Sequence, residues 1–315
     1  MKSTRAEPIL IVALVLMGAA WGLTIPLTKF AIESGFRDFG IIFWQFALGA
    51  VLLGGILTVL GRPLRIARIH WPFCLLIALL GTFLPNWASN TAAIHLPAGI
   101  MSIVISTVPL IAWPIAMGLG MDRFSALRAL GLMLGFGAIL LIALPEASLP
   151  DASMAAWLPL ALVAPARYAV EGKYVAKRGT GGLDPIQVLF GASIIGTIIS
   201  APVAVLSGGW IAPRPPFELA HGAGIASACL HALAYSGYGW LVGRGGAGFA
   251  AQVAYLVTGF GIVWASLLLD ESYSSWVWAA LVLMFVGLFL VQPRGRSDQP
   301  QVKEGIAAEP ALGER

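Results

Sequence analysis

Charge is scarce in this chain. Aspartate, glutamate, lysine and arginine make up 11% of its 315 residues, against roughly 25% in an ordinary soluble domain. That is too little polar surface to clothe one or two water-soluble domains. Cysteine is nearly absent: Cys74 and Cys229 both fall inside apolar stretches, where a thiol acts as a small apolar group, so neither a disulfide framework nor a cysteine-built metal site is expected. The four histidines, His70, His95, His221 and His231, form no i, i+4 pair, and no carboxylate-rich helix accompanies them. Metal chemistry and a membrane-embedded enzyme acting on lipid are disfavoured on that ground. No Gly-x-x-x-x-Gly-Lys-Ser/Thr phosphate loop occurs, which excludes that route to nucleotide hydrolysis, and no cofactor is expected. The strict in/out alternation of a transmembrane barrel is missing as well.

What the chain has in abundance is apolar length. Hydrophobic residues make up 58% of it, gathered into ten stretches at roughly 9–31, 39–60, 71–93, 97–119, 126–144, 154–176, 185–208, 219–242, 247–269 and 275–292, most near the 20 residues a helix needs to cross a bilayer. The expected fold class is an all-α integral membrane protein with ten transmembrane helices. Fifteen of the nineteen basic residues fall at the termini and in alternate loops. Positive charge is retained in the cytoplasm, so both termini are expected inside. The net charge of +4 then belongs to loops and tail facing an anionic leaflet, which makes nucleic acid a poor partner. The first stretch follows Lys2 and Arg5 but is too long for a secretory leader and reads as an uncleaved helix. Residues 294–315 are polar and read as a disordered cytoplasmic tail. Arginine in preference to lysine, with much alanine and glycine, suggests a GC-rich bacterial genome and a plasma (inner) membrane.

A shift of 149 positions lays Ala98-Gly99 on Ala247-Gly248, Asp122 on Glu271 and Ser125 on Ser274. The chain therefore reads as one five-helix unit used twice, over 1–145 and 146–293. Five is odd, so the second copy enters the membrane upside down. Inverted repeats recur in secondary transporters, with the substrate near the midplane between the copies, and argue against a receptor or scaffold without transport. Helix breakers fall in related places: Pro26 in the first stretch and Pro159 and Pro165 in the sixth, Pro109 and Pro114 in the fourth and Gly259 and Gly261 in the ninth. Backbone groups freed by such breaks must be met by neighbours, water or ligand. Small residues four apart, Gly18 and Gly22, Gly131 and Gly135, Gly239 and Gly243, favour close helix packing and, less directly, a homodimer.

Several of these residues resemble the EamA-type family of the drug/metabolite transporter superfamily. The likeness lies in Ala20-Trp21-Gly22 followed by Pro26 and Lys29, in Leu96-Pro97-Ala98-Gly99 through Ser106-Thr107-Val108-Pro109-Leu110, in Gly135 to Leu141, and in Gly246 to Glu271 leading into the last stretch. It covers about residues 1–292. The resemblance implies a secondary transporter, often an exporter of amino acids or related amphipathic compounds.

Polar side chains at membrane depth are costly and mark function by default. Arg167 and Glu171, four apart, are expected to share a helix face with Tyr168 beside them; Arg167 is placed to take a substrate carboxylate and Glu171 to carry a coupling proton, or the two to pair near the headgroups. Asn86 and Asn90 lie one turn apart beside Pro85, and His231, Tyr235 and Tyr238 occupy neighbouring turns of the eighth stretch. His231 is a second candidate for proton coupling. Ser106 and Trp113 with Ser102 in the fourth stretch, Gln252 and Tyr255 in the ninth, and Trp21 complete an expected substrate-binding wall of aromatic and placed polar groups for a small molecule. Lys29 is expected to snorkel outward, with a cavity role as the alternative. Asp270 and Glu271 are expected to stabilise the amino end of the last helix.

Overall fold

A computed structural model describes residues 8–143 and 149–292, so the tail at 294–315 lies outside the described residues. Within them the protein is helical throughout. Seven segments are at least 18 residues long and apolar enough to cross a membrane: Pro8–Glu33, Asp38–Val59, Arg68–Ala93, Ala98–Gly118, Ala126–Ala143, Ala152–Arg178 and Pro185–Leu206. Two shorter apolar helices, Val253–Leu269 and Ser275–Val291, follow. Between them runs Leu219–Gly245, 27 residues long. It is less apolar because His221, His231, Tyr235, Tyr238 and Arg244 interrupt its alanines and glycines.

We number the helices α1 (Pro8–Glu33), α2 (Asp38–Val59), α3 (Trp71–Ala78), α4 (Leu84–Ala93), α5 (Ala98–Ile105), α6 (Val108–Gly118), α7 (Ala126–Ala143), α8 (Leu158–Ala161), α9 (Val163–Arg178), α10 (Pro185–Leu206), α11 (Leu219–Gly245), α12 (Ala247–Ala250), α13 (Val253–Leu269) and α14 (Ser275–Val291). The interruptions have local causes. Pro85 has no N–H to give to Gly81, and the ladder widens there into a π-turn over Leu79–Phe83 that joins α3 to α4. Pro109 likewise parts α5 from α6. The hydroxyls of Ser106 and Thr107 donate to the carbonyls of Ile103 and Val104 at 2.6 and 2.7 Å, beside the backbone N–H groups of the same two residues, which tightens the turn at the break. Asp151 opens the helical run that leads through α8 to α9 by accepting the Ser153 N–H at 2.8 Å, a bond that holds its carboxyl below the usual carboxylate range.

Three expectations about breakers and small residues are corrected. Pro26 does not divide α1, which is continuous from Pro8 to Glu33. The ninth stretch breaks between α12 and α13 at Ala251–Gln252, while Gly259 and Gly261 lie inside an unbroken helix. Gly261 serves close packing instead: a Cβ there would strike Ser102, and a Cβ on Gly22 would lie 2.8 Å from the Val257 carbonyl oxygen and 2.9 Å from the Gly261 nitrogen. α1 and α13 thus touch backbone to backbone. Gly131 and Gly287 do the same for α7 and α14, each facing the other's carbonyl at 2.7 Å from a built Cβ. Gly243, by contrast, has open space beside it and Gly239 almost so, which removes that pair from the internal packing.

The helix contacts come in related sets. α1 packs on α13 and α11, while α9 packs on α6 and α4; α10 packs on α3, while α2 packs on α11. Exchanging each helix for its counterpart 149 residues away turns one member of every set into the other. It returns the α2–α10 and α7–α14 contacts to themselves. The largest apolar core joins α4–α8 with α13 and α14, around Leu96, Ile100, Leu110, Ile142, Met284 and Leu288.

Candidate functional site

A cavity of about 400 Å³ lies where α1, α4, α5, α6, α9, α11 and α13 converge. Its walls are mostly apolar, and both halves of the chain contribute to them. The sequence-selected residues Trp21, Asn86, Asn90, Ser106, Tyr168, His231, Tyr235 and Tyr238 all line it. Trp21 is the hub of one wall, with ring centroids 6.0 Å from His231, 5.7 Å from Tyr235 and 6.3 Å from Tyr238. On another, Tyr168 donates to the Asn86 oxygen at 3.3 Å and the Asn86 amide donates to Gln45 at 2.5 Å, a chain that joins α9, α4 and α2. The Thr28 and Ser227 hydroxyls meet at 2.8 Å between α1 and α11. The Asn90 amide nitrogen is buried with no hydrogen-bond partner.

Four expected lining residues stand elsewhere. Trp113 is buried in the core beyond the Pro109 break, which turns α6 so that spacing from Ser106 no longer implies a shared face. Gln252 is exposed at the α12–α13 break. That break sets α13 so that Ala251, Ala254 and Val257 face the cavity, and it sends Tyr255 against Phe285 at 5.6 Å. Arg167 is exposed and does not line the large cavity. Among the described residues no ion pair joins it to Glu171, which is 5% exposed. The Glu171 carboxylate turns instead into the space left by Gly81 in the π-turn, where any Cβ would overlap it.

Glu171 occupies its own chamber of about 40 Å³, lined also by Thr82, Ser193, Gln45, His231 and Tyr235. Gln45, His231 and Tyr235 belong to both spaces and form the partition between them. Among the described residues no lysine or arginine lines the chamber. The two groups expected to move protons thus meet across one small void.

Lys29 does not snorkel. It is 7% exposed and lines the large cavity, and its Nζ donates to the Ala93 carbonyl at 2.8 Å and pairs with Glu33 at 2.9 Å. Its spacing of four from Glu33, and of seven from Gly22 on the packed face of α1, was the legible signal for an inward position.

The loop before α14 supplies a contact that sequence spacing assigned wrongly. Asp270 takes the left-handed conformation (φ 52°) at the end of α13, a region aspartate tolerates, and turns the chain back. Glu271 then accepts the backbone N–H groups of Ala98 and Gly99 at 2.7 and 3.1 Å, capping α5 in the first half of the chain and not α14. Tyr273 donates to the same carboxylate at 2.5 Å; burial, then this bond and the adjacent charge, push its hydroxyl pKa upward. Asp122, the counterpart of Glu271, is held by Arg128 at 2.5 Å. Glu271→Ala is expected to cost about 2–3 kcal/mol, since two helix-end donors lose a charged acceptor, and to lower the thermal midpoint in detergent; Glu271→Asp, with a shorter reach, should fall between.

Apolar membrane helices around a cavity with a few placed polar groups define a multi-pass membrane transporter. The EamA-like transporter family matches the chain twice, over residues 8–144 and 155–292, and the chain belongs to that family. It is 26% identical to the Bacillus subtilis protein named Uncharacterized transporter YvbV, across 92% of this chain and 93% of that one. It is 24% identical to the Synechocystis sp. protein named Uncharacterized transporter sll0355, across 71% and 72%. A solved crystal structure shares the fold at 17% identity with a TM-score of 0.58, covering 89% of this chain and 96% of that one.

Proposed function

We propose that this chain is a secondary carrier of ten spans, α11 included, with both termini in the cytoplasm of a bacterial inner membrane. It moves an amino acid-like or amphipathic small molecule by alternating access between two inverted repeats, 1–145 and 146–293. As the family resemblance implies, the direction is outward. The observation that carries this reading is the cavity at the junction of the two halves, lined by residues of both. The paired helix contacts and the double family match support the repeat.

Alternating access then has a physical form. The Glu271 contact with α5 closes one face, and exchange of the repeats brings Asp122 to the amino end of α12 on the other. Protons couple through Glu171, with His231 in the partition beside it.

Counterflow in proteoliposomes against a panel of amino acids, carboxylates and amphipathic compounds tests the reading. At least one compound should exchange, and a protein that moves none across the panel is not such a carrier. For that compound, Asn90→Ala and Tyr235→Phe should each weaken binding several-fold with the folded yield unchanged. Equal affinity in both variants would remove the polar wall from recognition.

A further inference from the structure

Lys29 is the one charged residue lining the large cavity among the described residues. A cation desolvated to 7% exposure is retained at a cost unless something answers it. Two of its three ammonium protons are answered, by the Ala93 carbonyl and by Glu33. Glu33 has half its side chain in solvent, so its share of the pairing is screened. Asn90 sits one turn before Ala93 on α4, on the same face, and its amide lacks a partner. No carboxylate lines this cavity, because Glu171 lies beyond the Gln45–His231–Tyr235 partition. The wall therefore carries one positive charge and a nearby amide with unused bonding capacity, facing apolar surroundings.

We propose that the cavity takes an amphipathic monoanion, a carboxylate seated at Lys29 and Asn90 with its apolar body against Trp21, Tyr235 and Tyr238. This rests on the cavity being the transport site. Trp21 and Lys29 are eight residues apart on α1, about 12 Å along the axis, which sets the length of the molecule. A lipophilic amine fits badly, since its ammonium would meet Lys29 and find no acid.

The test is calorimetric binding to purified protein of three molecules with one apolar body: 3-phenylpropionate, its amide, and 3-phenylpropylamine. Binding is read without transport, so a failed counterflow panel leaves this result standing on its own. The carboxylate should bind best. Lys29→Gln should weaken it about thirtyfold or more, as expected when one partner of a buried charged contact is removed, and Lys29→Arg should recover part of the loss. Glu33→Gln should tighten carboxylate binding, because it removes the competing acid, a change that a structural Lys29–Glu33 pair does not predict. That variant keeps the test open if Lys29→Gln fails to fold. Amide or amine binding as tightly as the carboxylate, carboxylate binding that Glu33→Gln leaves unchanged, or no binding of the carboxylate would overturn the proposal. So would competition at this site by anionic lipid but not by soluble carboxylates, which would assign Lys29 to a headgroup.

Discussion

Glu171→Gln is expected to abolish substrate flux driven by an imposed pH gradient while leaving counterflow exchange in place. An acid buried without a counter-ion meets its charge cost by carrying a proton, and an acid whose chamber opens to one side and then the other carries protons across. Glutamine keeps the volume and the hydrogen bonding and removes the titration. The groups facing Glu171 are few: His231 and Tyr235 from α11, Tyr168 on its own helix, and the uncharged Gln45, Thr82 and Ser193 from α2, the π-turn and α10. Among the described residues the chamber holds no second carboxyl, so the part of the pH profile of flux that Glu171 carries should be lost. Gly81→Val provides an independent route to the same end. Its side chain would occupy the volume that holds the Glu171 carboxylate, and it should reproduce the loss of proton dependence without touching an ionisable group. A pH profile unchanged in both variants would take Glu171 out of the mechanism.

The second large effect concerns α1. Gly22→Leu is expected to remove most folded protein, read as the loss of the monodisperse peak on size exclusion in detergent. The atoms nearest a built Cβ at Gly22 are backbone, the Val257 carbonyl oxygen and the Gly261 nitrogen, and backbone inside a helix has no rotamer by which to yield. Overpacking a tight contact typically costs 1–3 kcal/mol, and more where nothing can move. In the membrane, close contact between small residues is itself much of what holds helices together. Gly243→Leu, with open space beside it, is the matched control and should express normally. Equal yields from the two would mean that the α1–α13 contact is dispensable.

The comparison of sequence with structure divides along the range of the forces involved. Membrane helices, their approximate bounds and the family were legible because hydropathy and the spacing of motifs such as Pro97-Ala98-Gly99 are properties of the chain itself. Eight of the twelve residues expected in the cavity wall line it, and seven of them lie on helices whose faces follow from regular spacing, while Ser106 stands at the α5–α6 break. Trp113, Gln252 and Tyr255 were misplaced because each stands at or beyond a break, where the helical period that predicts a face is interrupted. Arg167 and Glu171 were paired on spacing alone, but the π-turn at Gly81 offers the carboxylate a better place.

By itself, then, the order of residues determined solvent, element type and family, since each follows from composition, local period and the spacing of a few motifs. Only the tertiary structure decided that Lys29 turns inward, that Glu171 lies behind a partition shared with His231, and that Glu271 caps a helix of the opposite half. Those are contacts between residues 64 to 173 positions apart, or choices among rotamers settled by the space that neighbouring helices leave. Which partner a side chain finds at that distance is a matter of packing, and packing is not written in any single segment.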